Sequence, residues 1–281
     1  MKKLVILGAG QMGHALRTLL NPNAVELVAF GDNMASGEDE GVPVLSVAEA
    51  AQLGPDLMIA AVSGEERCAQ LEAQARWEGY RGELLRLSDL REYFDLRAAE
   101  FALIAGRLNA RKVPGCVAEL GVFQGDTARV LNALFPDRTL YLFDTFTGFT
   151  EVDLLAEHQA TGAPIRPEEF ADTSVEAVKS RLPFPERAVF CPGRFPETAE
   201  GLEERFALVS LDPDLYAPTL AGLNYFVPRL APGGVIVLHD YGNGRFPGVK
   251  KAVAEYETQN GPFCLLPLCD MHRSAILMRP W

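Results

Sequence analysis

Acidic residues and one histidine follow two neighbouring predicted strands near the end of the chain. Asp212 comes directly after one strand, and His239 and Asp240 follow the next. Because the carboxyl ends of parallel strands meet at one edge of a sheet, we expect these side chains to share a cleft. Two carboxylates and an imidazole could hold a divalent cation, or Asp212 or His239 could act as general base towards a hydroxyl. The structural alternative is that Asp214 caps the next helix and His239 packs in the core.

A glycine-rich turn lies upstream, in the sequence Glu119-Leu-Gly121-Val-Phe-Gln-Gly125. Glycines at 121 and 125 would let a ligand approach the backbone closely. Asp144 ends the next predicted strand, and a carboxylate about 19 residues beyond such a turn can accept both hydroxyls of a ribose. The pattern predicts a nucleoside-bearing cofactor, with a tight turn and a helix-capping aspartate as the alternative.

A second glycine-rich turn opens the chain. It has the form GxGxxG between a predicted strand and a predicted helix, which is the context that a dinucleotide-binding turn needs. Asp32 follows the next strand. The pattern predicts a nucleotide site, and a packing or dimerisation module is the alternative. The candidate residues of this site are Gly8, Gly10, Gln11, Met12, Gly13 and Asp32.

The elements that position these residues alternate between strands and helices, which predicts two α/β units with parallel, Rossmann-like sheets. We expect a small unit over residues 1–90, a helical linker over 91–112 and a larger unit over 113–281. Within these units the apolar runs predict strands at 4–7, 26–30, 42–45, 57–62, 83–87, 117–120, 139–143, 188–191, 207–211 and 235–238.

Several further segments have patterns that predict local structure. Ser46 and Glu49 form a capping-box pattern at the start of a short helix. Helices are predicted over 172–182 and 216–230, and an antiparallel strand pair over 263–268 and 274–278. A long polar stretch over 148–172, which includes His158, is a candidate lid over a substrate.

Composition excludes several classes of protein. The 281 residues are 48% hydrophobic and carry a net charge of −12. A disordered chain would lack this apolar content, and an acidic chain has no footprint for nucleic acid or an anionic membrane. No apolar run approaches the roughly 20 residues of a membrane span. Five cysteines without a CxxC pair indicate free thiols in a reducing compartment, so we expect a cytoplasmic protein: Cys68, Cys116, Cys191, Cys264 and Cys269.

The second unit resembles the macrocin O-methyltransferase family, whose members methylate sugar hydroxyls in natural products. Six motifs occur in family order across residues 115–257, namely VAELGVFQGDTARVL, LYLFDTFTGF, FADTSVEAVKSRL, PGRFPET, SLDPDLYAPTLAGL and LAPGGVIVLHDYGNGRFPGVKKAVAEY. The resemblance implies a class I fold that binds S-adenosylmethionine. It implies that Glu119, Gly121 and Gly125 cradle the methionine end of the cofactor and that Asp144 takes its ribose. It also places near the cofactor Phe146, Thr173, Ser174 and the stretch Gly193-Arg-Phe195.

The same resemblance raises the question of a metal ion. In family members that use magnesium, acidic residues at the positions of Asp212, His239 and Asp240 carry the ion, and the first also serves as base. This sequence departs from the pattern, since His239 stands where an aspartate pair is usual. An imidazole suits a softer ion, or the site uses a base and no metal.

The first unit is similar to the nucleotide-sugar-binding domain of bacterial sugar O-acyltransferases (PglD-type), from VILGAGQMG through the GVPVL and LMIAAV stretches. Together the two resemblances predict an S-adenosylmethionine-dependent O-methyltransferase that acts on a sugar or nucleotide-linked sugar. Two alternatives are a fused NAD(P)-dependent reductase and a pseudo-methyltransferase that binds cofactor without turnover. A reductase is disfavoured because the first unit lacks a Tyr-x-x-x-Lys pair. Assembly into a homo-oligomer is left open.

Overall fold

The computed structural model describes residues 1–89 and 95–280. The chain divides into two compact units. The first comprises Met1–Leu96 with Cys269–His272, and the second comprises Arg97–Leu268 with Arg273–Trp281.

The first unit is built on a six-stranded sheet of order β3-β4-β2-β1-β5-β6. Its strands are β1 (Lys2–Leu7), β2 (Val25–Gly31), β3 (Gly37–Asp39), β4 (Val42–Leu45), β5 (Leu57–Ala60) and β6 (Glu83–Arg86). Five strands are parallel, as the sequence predicts, whereas β3 pairs antiparallel with β4 at the edge. Sequence analysis missed β3 because its three residues, GED, include no apolar side chain.

Three described helices flank this sheet: α1 (Gln11–Leu19), α2 (Val47–Gln52) and α3 (Glu65–Trp77). The capping box predicted for α2 is confirmed. The Ser46 hydroxyl accepts a hydrogen bond from the Glu49 backbone N–H at 3.2 Å, and Glu49 Oε2 accepts one from the Ser46 N–H at 2.9 Å. These two bonds satisfy two of the N–H groups that a helix start leaves unpaired.

The second unit is built on a seven-stranded sheet of order β12-β13-β11-β10-β7-β8-β9. Its strands are β7 (Cys116–Leu120), β8 (Leu140–Asp144), β9 (Ala188–Pro192), β10 (Phe206–Leu211), β11 (Leu230–Leu238), β12 (Leu265–Pro267) and β13 (Ala275–Met278). The sheet is parallel except for β13, which runs antiparallel to both β11 and β12. The predicted antiparallel pair is therefore confirmed, with shorter strands.

Six described helices belong to the second unit: α4 (Leu96–Ala110), α5 (Asp126–Leu134), α6 (Glu151–Thr161), α7 (Val175–Arg181), α8 (Tyr216–Phe226) and α9 (Pro247–Asn260). The start of the expected linker, residues 91–94, lies outside the described residues. The remainder is α4, whose Phe101, Ala105 and Leu108 are buried in the core of the second unit. Within the described residues, no helix has both the length and the apolar character that crossing a membrane requires.

The helix predicted over 216–230 ends at Phe226. Pro228 lacks the N–H that a continuing α-helix needs, and a short 3-10 turn over Val227–Arg229 leads into β11. The strand therefore begins at Leu230 rather than at residue 235. The helix predicted from residue 172 begins at Val175, because the Ser174 side chain caps it.

The stretch over 148–172 is not the irregular polar loop that its composition suggests, since it contains α6. The buried face of α6 carries two acidic side chains. Arg194 donates to Asp153 at 2.8 Å, and the backbone N–H of Tyr216 donates to Glu157 Oε2 at 2.6 Å. A carboxylate at the first turn of α8 is favourable, because helix N-termini present unpaired N–H groups. Sequence periodicity missed this helix because acids occupy its buried positions.

Candidate active site

Charged side chains of the second unit converge where four adjacent parallel strands end. These strands are β8, β7, β10 and β11, which lie side by side in the sheet. Asp144 ends β8 and Glu119 is the penultimate residue of β7. Asp212 follows β10, and His239 and Asp240 follow β11. The sequence prediction that these residues share one edge of the sheet is confirmed.

Asp144 closes the glycine-rich turn. Its Oδ2 accepts hydrogen bonds from the backbone N–H groups of Val122 at 2.7 Å and Phe123 at 2.9 Å. Its Oδ1 accepts one from the Phe146 N–H at 2.7 Å. The carboxylate thereby fixes the loop that follows β7 against the loop that follows β8.

This carboxylate retains capacity for a further donor. A carboxylate offers about four acceptor positions, and three backbone N–H groups occupy three of them. The Thr145 hydroxyl lies 3.5 Å from Oδ1, but its proton goes to the carbonyl oxygen of Gly148 at 2.6 Å. Asp144 could therefore accept from one ligand hydroxyl without losing a bond to the protein.

The two glycines of the turn serve the protein's own packing. Gly121 has φ +87°, and a Cβ there would lie 2.0 Å from the carbonyl oxygen of Asp212. Gly125 has φ +81°, and its Cβ would lie 2.7 Å from Val178 Cγ1. The space at both Cβ positions is not open to a ligand, whereas close approach of a ligand to other backbone atoms of this turn stays a prediction. Neighbouring protein atoms fill that space, and the left-handed backbone favours glycine.

Glu119 carries an unused acceptor at the base of the same turn. The residue is 1% exposed, and its Oε2 has no hydrogen-bond partner among the described residues. Burial raises the pKa of this carboxyl well above its usual value, although Arg97 acts in the opposite direction. Buried polar atoms are seldom left without a partner, so this oxygen indicates a place for a ligand donor.

His239 lies between two carboxylates. Its Nδ1 is 2.7 Å from Asp212 Oδ1 and 2.8 Å from Asp240 Oδ2. Burial and Arg97 lower the pKa of His239, but the charges of Asp212 and Asp240 outweigh them and raise it to about 9. The imidazole is therefore protonated at neutral pH. A protonated imidazole cannot accept a proton, so the geometry favours Asp212 over His239 as general base.

Arg97 holds the other side of Asp212 and is a site residue that sequence reasoning missed. Its Nη2 donates to Asp212 Oδ2 at 2.9 Å and to the Ser210 hydroxyl at 3.3 Å. The residue lies near the start of α4, far from the strand ends in sequence. An arginine on a helix is usually solvated, so its type and position gave no signal.

A third carboxyl, that of Asp214, joins the cluster, although the structural alternative made this residue a helix cap. Carboxylate oxygens of Asp212, Asp214 and Asp240 lie within 4.8 Å of one another. Burial, followed by the charges of Asp212 and Asp240, raises the pKa of Asp214 well above its usual value. Burial would also raise the pKa of Asp240, but His239 and the hydrogen bonds to the carboxylate lower it to about 2.

Two residues expected near the cofactor contact Asp144 through their backbones. Phe146 donates its N–H to the carboxylate, and its ring packs 6.1 Å from that of Phe190. Gly193, at φ +129°, donates its N–H to the Asp144 carbonyl at 2.9 Å. Phe195 is different, because its ring stacks in the core.

The remaining two candidates border the glycine-rich turn. The Thr173 hydroxyl donates to the carbonyl oxygen of Phe123. Ser174 caps α7, since its side chain accepts from the Ala177 N–H at 3.1 Å. The Ser174 oxygen therefore has a structural role in this protein. His158, in the candidate lid, is exposed on α6.

A row of phenylalanine rings begins at the same turn and was not predicted. The rings of Phe123 and Phe170 meet edge to face at 5.1 Å. Phe149 and Phe246 contact Phe170 at 5.4 and 6.4 Å. These residues come from four separate places in the sequence, so no local pattern could have revealed the row.

The first unit has a similar turn. Asp32 Oδ2 accepts from the Ala9 N–H at 2.8 Å, and its Oδ1 accepts from two further backbone N–H groups. Burial raises the pKa of Asp32, but these hydrogen bonds outweigh burial and lower it. A Cβ at Gly13 would lie 2.0 Å from the Gly8 carbonyl oxygen, whereas Gly10 has open space around it.

The other two candidates of the first unit begin α1. Gln11 is partly exposed at its first position, whereas Met12 is 9% exposed and packs in the core. The Met12 side chain therefore serves packing. The N-cap residue, Gly10, makes no side-chain hydrogen bond to the helix.

Comparison with known proteins agrees with this geometry. The model of the macrocin-O-methyltransferase (TylF) family matches residues 95–275. The chain is 32% identical over 163 residues to mycinamicin III 3''-O-methyltransferase from Micromonospora griseorubida. The aligned region covers 53% of this chain and 63% of that relative. It is 29% identical over 162 residues to 8-demethyl-8-(2,3-dimethoxy-alpha-L-rhamnosyl)-tetracenomycin-C 4'-O-methyltransferase from Streptomyces olivaceus, covering 53% and 60%.

The chain thus spans less than two thirds of the length of either relative. Among solved structures, the O-methyltransferase NovP superposes with a TM-score of 0.55 at 24% identity, covering 66% of this chain and 80% of NovP. This likeness shows a shared fold. Because the family match covers well over half of the residues, the chain belongs to the macrocin-O-methyltransferase family.

Proposed function

We propose that this protein is an S-adenosylmethionine-dependent O-methyltransferase that acts on a hydroxyl of a sugar or nucleotide-linked sugar. The observation that carries the proposal is the unpaired, buried Glu119 oxygen beside a glycine-rich turn that Asp144 closes. Family membership supports the proposal, as do the names of the two relatives: both are O-methyltransferases, and the second name specifies a rhamnosyl compound.

The residues present fit S-adenosylmethionine. Glu119 Oε2 is a buried acceptor without a partner, which suits the cationic amino group of the methionine end. Asp144 can accept from one ribose hydroxyl. When bound, S-adenosylmethionine supplies an electrophilic methyl group attached to a positively charged sulfur. The chain's task is then to position an acceptor oxygen in line with that methyl group.

Asp212 is the residue best placed to take the proton from the acceptor hydroxyl. It lies at the strand edge with 17% of its side chain exposed, and each of its oxygens accepts from a cationic group, Arg97 or His239. These contacts fix the orientation of the carboxylate.

The divalent cation considered from the sequence does not fit this set of residues. His239 Nδ1 occupies the position between Asp212 and Asp240, and Arg97 places a positive charge on the far oxygen of Asp212. The proposed mechanism therefore uses Asp212, and no metal ion, to take the proton from the acceptor hydroxyl.

The row of phenylalanine rings is the surface that we propose for the sugar. Phe123, Phe149 and Phe170 are partly exposed beside the turn. Aromatic rings present large apolar surfaces, against which the C–H face of a sugar ring can pack. Such a wall would orient the acceptor without competing for its hydroxyl groups.

For the first unit we propose a site for the nucleotide part of the substrate. Open space around Gly10 and a helix N-terminus without a side-chain cap favour an anionic group there. Titration of UDP and of UMP would test it, because pyrophosphate binding at α1 favours the diphosphate. Equal, weak binding of both would contradict this part.

The enzyme activity is tested with a panel of nucleotide sugars and deoxysugar glycosides. Each is incubated with S-adenosylmethionine, and the release of S-adenosylhomocysteine is followed. The methylated product is about 14 mass units heavier, and its additional CH₂ group, worth about 0.8 kcal/mol of transfer free energy, also separates it from the substrate by reversed-phase elution. Turnover on a sugar confirms the proposal. Cofactor binding without turnover on any acceptor would favour a pseudo-methyltransferase, and nicotinamide oxidation would favour the reductase alternative.

A further inference from the structure

The position between Asp212 and Asp240 already holds a side chain of this protein. Nδ1 of His239 lies 2.7 Å from an oxygen of Asp212 and 2.8 Å from an oxygen of Asp240. The His239 residue is 6% exposed. A cation that bridged these two oxygens would have to occupy the place of Nδ1.

The other oxygens of the two carboxylates are engaged as well. Asp212 Oδ2 accepts from Arg97 at 2.9 Å, and Asp240 Oδ1 accepts from the Asn243 side-chain amide at 2.6 Å. Each of the four oxygens therefore has a nitrogen donor. Magnesium and calcium need several oxygen ligands with lone pairs free to face the ion, and this arrangement provides few.

The permanent charge of Arg97 also disfavours a divalent cation. Its Nη2 lies 2.9 Å from Asp212 Oδ2, so a cation bound to Asp212 would be repelled by the guanidinium in a poorly solvated site.

We propose that His239 takes the place of a hard divalent cation between Asp212 and Asp240, so that this pair binds neither magnesium nor manganese and methyl transfer proceeds without them. The statement about turnover rests on the proposed function, whereas the statement about metal binding stands on the geometry alone. The two can therefore fail separately.

The first experiment titrates MgCl₂ and MnCl₂ calorimetrically into the wild-type protein, with electron paramagnetic resonance for manganese. We expect no binding at this site below about 10 mM, a concentration that corresponds to a binding free energy of only about 3 kcal/mol. Stoichiometric binding at submillimolar concentration that Asp212→Asn abolishes would overturn the proposal. This arm needs no variant of His239.

The second experiment converts the imidazole into a metal ligand. His239→Asp removes a positive charge and adds a carboxylate, and His239→Asn is the matched control of equal size. We expect the Asp variant to bind magnesium at least about tenfold more tightly than the Asn variant, because carboxylate charge sets affinity at oxygen sites. Thermal melting establishes that both variants fold. A folded Asp variant with no gain over the Asn variant would count against the proposal.

The third arm follows turnover. In EDTA we expect the wild-type rate to stay within about twofold of its value in magnesium, since no Lewis acid contributes. Loss of most wild-type activity in EDTA, restored by magnesium, would overturn the proposal. Absence of turnover under every condition would refute the proposed function and leave the metal titrations valid.

Discussion

The two glycine-rich turns of this chain are closed by the same kind of interaction, in which an aspartate carboxylate accepts hydrogen bonds from backbone N–H groups. In the first unit Asp32 accepts from the Ala9 N–H at 2.8 Å, and in the second Asp144 accepts from Val122 and Phe123 at 2.7 and 2.9 Å. In both units, a carboxylate at or just after the end of the second strand fixes the loop that follows the first strand.

The two units differ in the residues that lie at the ends of the neighbouring strands. In the second unit, the adjacent strand ends carry Glu119, Asp212, His239 and Asp240, with Arg97 reaching them from α4. In the first unit the residues that follow β1, β4 and β5 are Gly8, Ser46 and Ala61. On the proposed function, the glycine turn closed by a carboxylate contributes to binding, and the buried charges beside it contribute the chemistry.

The largest effect should come from removing the carboxylate that has no counterpart in the first unit. We expect Asp212→Asn to lower kcat by about 10²- to 10⁴-fold, because the general base is lost, while S-adenosylmethionine affinity stays within about twofold. Asp56→Asn, at an exposed carboxylate of the first unit, is the control and should leave both unchanged. Full activity in Asp212→Asn, measured by S-adenosylhomocysteine release, would place the base elsewhere.

The next effect concerns stability and should be similar in the two units. Alanine at Gly121 or at Gly13 would place a Cβ 2.0 Å from a backbone oxygen. We expect each change to cost about 3 kcal/mol or more in the free energy of unfolding of its own unit, because overpacked backbone must shift. Gly10→Ala, with open space around it, should change it by less than about 1 kcal/mol.

Chemical denaturation monitored by far-ultraviolet circular dichroism checks these values. A neutral Gly13→Ala paired with a damaging Gly121→Ala would break the structural likeness between the two turns.

A smaller effect concerns the pH dependence of stability, which should differ between the two units. The pKa of His239 is raised from 6.5 to about 9, so its stabilisation of the second unit is complete below pH 6.5 and is lost as pH rises through 9. The pKa of Asp32 is lowered from 3.8, so its contribution to the first unit is present above pH 3.8 and is lost as pH falls through the lower folded value. Thermal melts of His239→Gln and Asp32→Asn should flatten the alkaline and acid limbs, respectively. Unchanged limbs would contradict these assignments.

Much of the fold and of the candidate site could be predicted from the sequence, because both depend on local pattern. Apolar runs located the parallel strands, and the residues directly after them are the ones that converge. What could not be predicted depends on contacts distant in sequence. Arg97 reaches Asp212 across 115 positions, and Glu157 bonds to Tyr216 across 59. Neither has a pattern of its own, since a charged residue on a helix normally faces water.

The roles of the glycines illustrate the same limit. Sequence shows that glycine is present at 121 and 125, but whether the ligand or the protein occupies the adjacent space is a three-dimensional fact. Here the protein does, through Asp212 and Val178.

The most direct test of the account is a calorimetric titration of S-adenosylmethionine into the wild-type protein and into two matched variants, Asp144→Ala and Asp32→Ala. A third variant, Asp144→Asn, keeps the size of the side chain and shows whether a loss of affinity in Asp144→Ala comes from misfolding. If the second unit binds the cofactor through Asp144, its removal should weaken affinity by about 30-fold, or about 2 kcal/mol, while Asp32→Ala stays within about threefold of wild type. Absence of binding to the wild-type protein, or loss in Asp32→Ala with retention in Asp144→Ala, would contradict the account.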